Sequence, residues 1–269
     1  MDKNLISIQI SDQLPLWSAP FALDILEYVD YSYDKNVLDI GCGTGFLSIE
    51  LAQRLGIKSH VYALDIEKTA IKKLNDKIRM FGINNIESVA IDFYQYTIEN
   101  NFFDLIVSCN GFNNLSDIDK AFSKCYKMLK PHGHLLISQN LPQTMMDFYK
   151  ALENVLDERG LSDSIEKLHE HIYIKRKSID YLLTSLKDNG FIINTVNESS
   201  FNYKFRDYKA MFGYHEIKYN FYDAWRNILP QGQAELLLDE AGKRLNEKSI
   251  NNGGIELNIP YCFIECIKE

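Results

Sequence analysis

The sequence predicts an α/β protein: a mostly parallel seven-stranded sheet with an antiparallel closing strand, helices on both faces, and an inserted helical, aromatic-rich cap. Three observations carry that expectation. Short apolar runs alternate with amphipathic stretches from residue 36 to about 140, the rhythm of strand–helix–strand units. The runs are continuously apolar rather than alternating, as in strands covered on both sides. After Leu141 the rhythm breaks into helical patterns, returning to strand character only at 191–205 and 255–268.

Each element has its own signal. "NVLDI" (36–40) reads as a buried strand and "FLSIELAQRL" (46–55) as a helix. "HVYALD" (60–65) is a strand. In residues 66–82, Ile71, Leu74, Ile78 and Phe81 recur at helical spacing and Gly82 is a stop. "ESVAID" (87–92) and "FDLIVSC" (103–109) are strands. Residues 117–130 form a helix closed by Pro131 and Gly133, and "HLLISQN" (134–140) is the fifth strand. Residues 143–189 and 206–250 are helical. The expected division is a sheet domain of residues 1–142, 178–205 and 255–269, with a cap of residues 143–177 and 206–254 inserted into it.

Composition narrows the class. At 46% hydrophobic and 25% charged residues the chain is globular in type, and no apolar run reaches a membrane span. The N-terminus has no basic stretch leading into an apolar core, so the expected location is cytoplasmic. Net charge is −8, and the only dense basic cluster is Lys175-Arg176-Lys177. Duplex nucleic acid is therefore not an expected partner. Five cysteines, at Cys42, Cys109, Cys125, Cys262 and Cys266, have no zinc-like spacing; they read as buried thiols, and no metal is expected.

Chemistry concentrates in "VLDIGCGTGFLSIELAQRLG" (37–56). Gly41, Gly43 and Gly45 put a bare turn between a strand and a helix, which permits positive φ and close approach of a ligand to free N–H groups. Open α/β sheets take ligands at the carboxyl ends of their strands. Asp65 ends the second strand, where a carboxylate can accept from both ribose hydroxyls of an adenosine. Asp92 ends the third, where one can accept from an adenine amino group, with Ile66 and Phe93 as apolar cover. Each residue alone has a plain structural use as a turn or cap; all of them in order are a pattern. Asp39, beside the glycines, suits an ammonium rather than a pyrophosphate, and favours S-adenosylmethionine over a dinucleotide.

"VLDIGCGTG", "ALDI", "IDF", "FDLIVSCNG" and "KMLKPHGHLLIS" resemble, in order, the motifs of class I S-adenosylmethionine-dependent methyltransferases, small-molecule branch, close to the ubiquinone/menaquinone C-methyltransferases. The resemblance covers about residues 15–142 and implies a Rossmann-like fold. It implies Asp39 and the Gly41-Cys42-Gly43-Thr44-Gly45 loop beside the methionine moiety, and Asp65 on the ribose. Asp92 and Phe93 fall at the adenine, and Ser108, Cys109 and Asn110 at the sulfonium end. Residues 14–29 look like the helix that precedes the first strand and partly roofs the cofactor. Trp17 sits over the site or staples the start of that helix; the sequence leaves both open.

The implied reaction is direct methyl transfer to a small molecule. Ten of the 25 residues from 201 to 225 are aromatic, 40% against 12% for the chain, which suits either a packed core or a pocket for a flat, apolar acceptor. His215, among these rings, is the leading candidate base; a structural histidine is the competing reading. Asn113, with Asn110 and Asn114, is placed to orient an acceptor, and the same asparagines serve turn chemistry equally well. "SCNG" departs from the Asn-Pro-Pro-aromatic signature, which disfavours methylation of amides and nucleobases. The alternatives are a protein or RNA methyltransferase, a non-catalytic module that binds the cofactor, and an NAD-dependent oxidoreductase.

Overall fold

A computed structural model describes residues 3–174, 176–249 and 253–269; Lys175 of the basic cluster lies outside the described residues. Helices α1 (Lys3–Gln13) and α2 (Ala19–Tyr28) precede the first strand, β1 (Asn36–Ile40). There follow α3 (Phe46–Leu55), β2 (His60–Asp65), α4 (Lys68–Phe81), β3 (Ile86–Ala90), β4 (Phe103–Cys109), α5 (Ile118–Met128) and β5 (Leu129–Asn140). Then come α6 (Met146–Glu158), α7 (Ser162–Tyr173), α8 (Ile179–Asp188) and β6 (Phe191–Phe205). Four helices, α9 (Tyr208–Gly213), α10 (His215–Asn220), α11 (Tyr222–Asn227) and α12 (Ala234–Ser249), lead to the closing strand β7 (Ile255–Lys268).

The seven strands lie in the order β3-β2-β1-β4-β5-β7-β6, mostly parallel with an antiparallel closure. The chain builds outward from β1 through β2 to β3, then returns to the other side of β1 for β4. That reversal leaves a crevice beyond the carboxyl ends of β1 and β4, the place where open α/β sheets take ligands.

The chain divides into two compact units. The sheet unit holds Ser11–Gln139, Ser178–Ser199 and Tyr261–Glu269. One face of its sheet buries Val37, Val61, Ala63, Val107 and Leu136 against Ile25 of α2, Leu51 of α3 and Leu74 of α4. On the other face Phe112 stacks on Phe122 of α5 with ring centroids 5.0 Å apart. The helical unit holds Met1–Ile10, Asn140–Lys177 and Ser200–Pro260. Its centre is Trp225, fully buried, whose ring lies 4.3 Å from that of Phe148 and whose indole N–H donates to Tyr149 Oη at 3.2 Å. Gly242 is needed there: a Cβ would come within 2.3 Å of the Tyr208 ring.

Three elements differ from expectation. The helix read over 117–130 stops at Met128, and β5 starts at Leu129, through Pro131 and Gly133. Phe103 pairs with Leu129 and Leu105 with His134, so β5 bulges here, with His132 at φ 62°. A bulge tolerates a proline that cannot donate to the ladder. Residues 14–29 are not one helix: a turn over 15–18 precedes Ala19, and Pro20 occupies the first turn of α2. Helix α1 has no counterpart in the sequence reading, because its apolar positions make no clear stripe.

Candidate functional site

A pocket of about 550 Å³ opens at the carboxyl edge of the sheet unit, at the β1/β4 reversal. Of the residues singled out above, Asp39, Gly41, Cys42, Gly43, Asp65, Ile66, Asp92, Phe93, Cys109 and Asn110 all line it. Gly45, Trp17, Asn113 and Ser108 do not, the last being buried with its hydroxyl donating to the Ile40 carbonyl at 2.7 Å, and His215 belongs to the helical unit.

The glycine loop is built by specific contacts. After β1 the N–H groups of Gly41 and Cys42 both donate to the Leu64 carbonyl, at 2.8 and 2.9 Å, which turns the chain back over β2. Gly41, Gly43 and Gly45 all have positive φ. Gly41 has a second reason to lack a side chain: a Cβ there would sit 3.0 Å from Gly111 Cα. Gly45 serves packing, since its Cβ would fall 2.2 Å from Leu74 Cδ1. Gly43 alone faces open space, the position from which backbone can meet a ligand.

Three carboxylates line the pocket with this loop. Asp65 Oδ2 accepts from the Gly43 N–H at 2.8 Å, and its Oδ1 accepts from the Glu67 N–H at 2.8 Å. Each oxygen keeps a second lone pair for a hydroxyl. Asp92 lies just past the end of β3 and accepts from the Tyr94 N–H at 2.8 Å, an Asx turn that aims the following loop. Asp39 is fully buried; its Oδ2 accepts from Ser48 Oγ at 2.5 Å while Oδ1 has no partner. Burial pushes its carboxyl up to about 7, the negative charge of Asp65 adds to that, and the Ser48 hydrogen bond opposes it.

Apolar cover comes from two sides. Phe93 is buried, whereas Ile66 is 70% exposed in the pocket wall. The loop bearing Phe93 is fixed by Lys124 of α5, whose ammonium donates to the carbonyls of Phe93, Tyr94 and Tyr96 at 2.6, 3.0 and 2.6 Å. At the β4 end, Asn110 takes a left-handed conformation (φ 57°), donates its N–H to Ser138 at 2.6 Å, and receives the Asn113 amide on its Oδ1 at 2.8 Å. Asn113 thus touches the pocket wall through Asn110 and does not line it. Burial, the first cause, raises the Cys42 and Cys109 thiols, so neither offers a thiolate nucleophile near neutral pH.

Several residues here escaped the sequence. Gly111 packs where a Cβ would meet the Ile40 carbonyl at 2.5 Å. Lys124 reads as an ordinary solvent lysine on an amphipathic helix. Outside the pocket lining, Gln139 is 1% exposed at the end of β5, and neither its Nε2 nor its Oε1 has a partner. Its only sequence signal is a polar residue in the last positions of an apolar strand.

A reversed parallel sheet whose tips present paired carboxylates, a backbone turn and apolar cover belongs to the Rossmann-like class of nucleoside binders. Within that class a methyltransferase-domain family model matches residues 32–211, and the chain belongs to that family. It is similar to the ubiquinone/menaquinone biosynthesis C-methyltransferase UbiE of Idiomarina loihiensis, 35% identical over 148 residues, or 51% of this chain and 58% of the relative. The chain thus matches well under two thirds of that relative's length. Its fold is similar to that of the YcgJ protein from Bacillus subtilis, with TM-score 0.62, 16% identity, and coverage of 93% of this chain and 98% of the other. It is also similar to phosphoethanolamine N-methyltransferase 2 of Haemonchus contortus, solved with S-adenosylhomocysteine (TM-score 0.54, 19% identity, 93% of this chain, 52% of the other).

S-adenosylmethionine is the cofactor of this family, and the residues fit it. A buried carboxylate with an unpartnered oxygen suits an ammonium. The free lone pairs of Asp65 suit ribose hydroxyls, and Ile66 with Phe93 suits a purine. No helix among the described residues is long and apolar enough to cross a membrane.

Proposed function

We propose that this chain transfers a methyl group from S-adenosylmethionine to a small, flat or apolar molecule by direct displacement. The observation that carries the reading is Asp39: fully buried, with Oδ1 unpartnered, at the floor of a pocket whose other carboxylates are already tied to backbone. Such an atom costs about 1–3 kcal/mol until a donor reaches it, and the cofactor's ammonium is that donor.

The cofactor supplies an activated methyl group, so the protein's part is to hold, align and exclude water. Asp65 holds the ribose and Asp39 the ammonium of the cofactor, and Gly43 lets backbone approach between them. Asn110, held by Asn113, faces the acceptor.

Incubation with methyl-tritiated S-adenosylmethionine and a small-molecule extract tests the reading. Label in the small-molecule fraction supports it. Label in added protein or RNA instead replaces the acceptor class, and no transfer to any fraction leaves a binding module.

A further inference from the structure

Residues Ser11 and Ser18 both line the pocket, and the chain between them is fastened at its two ends. At one end Asp12 accepts from Lys77 Nζ at 2.6 Å and lies 3.4 Å from Lys73 Nζ, both on α4. Thr44, in the glycine loop and buried, also donates to Asp12. At the other end the Cys109 thiol donates to the Ser18 carbonyl at 3.5 Å. Between the fastenings Leu14 is 46% and Leu16 57% exposed, Trp17 is half-buried with its ring 6.4 Å from that of Phe21, and the turn is closed locally by Leu16 N–H to Leu14 and Ala19 N–H to Pro15. A segment with no fully buried side chain among residues 11–18, tied at its ends by polar contacts, opens at lower cost than the sheet beneath it.

We propose that residues 11–18 are a strap across the cofactor pocket that must lift for exchange, and that the Asp12 clasp on Lys73, Lys77 and Thr44 sets the rate. The inference rests on the pocket being the cofactor site. Asp12 is a positioning residue; it touches the loop that receives the cofactor and is not itself in the pocket wall. The clasp is a partly buried pair, with Asp12 at 17% and Lys77 at 21% side-chain exposure, so it is worth more than a surface ion pair and is screened less. Burial works to raise the Asp12 carboxyl, but the Lys77 hydrogen bond and charge, the Lys73 charge and Thr44 together bring it below the usual carboxylate range. The Asp12 carboxylate therefore stays ionised throughout the neutral range.

A gate and a contact differ kinetically. Loosening a gate raises entry and exit rates together; losing a contact raises exit alone. S-adenosylhomocysteine binding by surface plasmon resonance, on the wild type and on Asp12→Asn and Lys77→Met, separates them. The strap predicts that both rates rise about tenfold in each variant, equivalent to roughly 1.4 kcal/mol on the opening step, while Kd stays within about threefold. Exit rising alone, or both rates unchanged, overturns it, and a fall in thermal midpoint without a rate change assigns Asp12 a structural role only. A wild type that fails to bind S-adenosylhomocysteine removes the cofactor reading, and the strap with it.

Discussion

Asp65 and Gly43 are joined by a 2.8 Å hydrogen bond from the glycine N–H to the carboxylate, spanning 22 residues of sequence and linking the tip of β2 to the loop after β1. The same side chain therefore shapes the loop and faces the ligand. Asp65→Ala removes both functions and should weaken S-adenosylhomocysteine binding about 10–100-fold, since hydrogen bonds to a charged group are worth roughly 1.5–3 kcal/mol. Asp65→Asn should lose less, because Oδ1 can still accept from Glu67. Titration calorimetry reads both; an unchanged Kd in the alanine variant takes Asp65 out of the ribose role.

The pH dependence follows from Asp39. Its folded carboxyl lies at about 7, above the unfolded value near 3.9. A raised acid binds protons in the folded state, so unliganded stability falls as pH rises from about 4 to 7. Cofactor affinity moves the other way, because the ammonium needs the ionised form. Binding should tighten on the order of tenfold between pH 5.5 and 7.5, and Asp39→Asn should flatten the profile. A wild-type profile already flat over that range contradicts the assignment.

Much of this was legible in advance, and the reasons are local. The bounds of β1, α3, β2 and β4 match the apolar runs because each run is bounded by glycine or polar residues. The carboxylates were legible because a strand tip is a fixed place in this architecture. The start of β5 was not, since Lys130-Pro131-His132-Gly133 reads as a helix stop and becomes a bulge only through pairing with β4. Lys124 and Gly111 were not, because what they touch lies 28–31 residues away for the one and 71 for the other.

The loop glycines should separate by mechanism. Gly45→Ala drives a Cβ to within 2.2 Å of Leu74 and keeps a positive φ, so thermal unfolding should show a loss of about 1–3 kcal/mol. Gly43→Ala meets nothing within 4 Å and should cost less stability but more S-adenosylhomocysteine affinity. The reverse ranking contradicts the division between packing and ligand approach.

Gln139 offers a sign test. A buried carboxamide unpaired at both ends gains little by being polar, so Gln139→Leu should leave thermal stability unchanged or raised. A fall of more than about 1 kcal/mol means the carboxamide is already satisfied in the folded protein.

The most direct measurement is a crystal structure with S-adenosylhomocysteine. The account predicts its amino group on Asp39 Oδ1, its ribose hydroxyls on Asp65, and its adenine between Ile66 and Phe93. A ligand seated elsewhere, or a pocket in which Asp39 stays unpartnered while the ligand is bound, contradicts it.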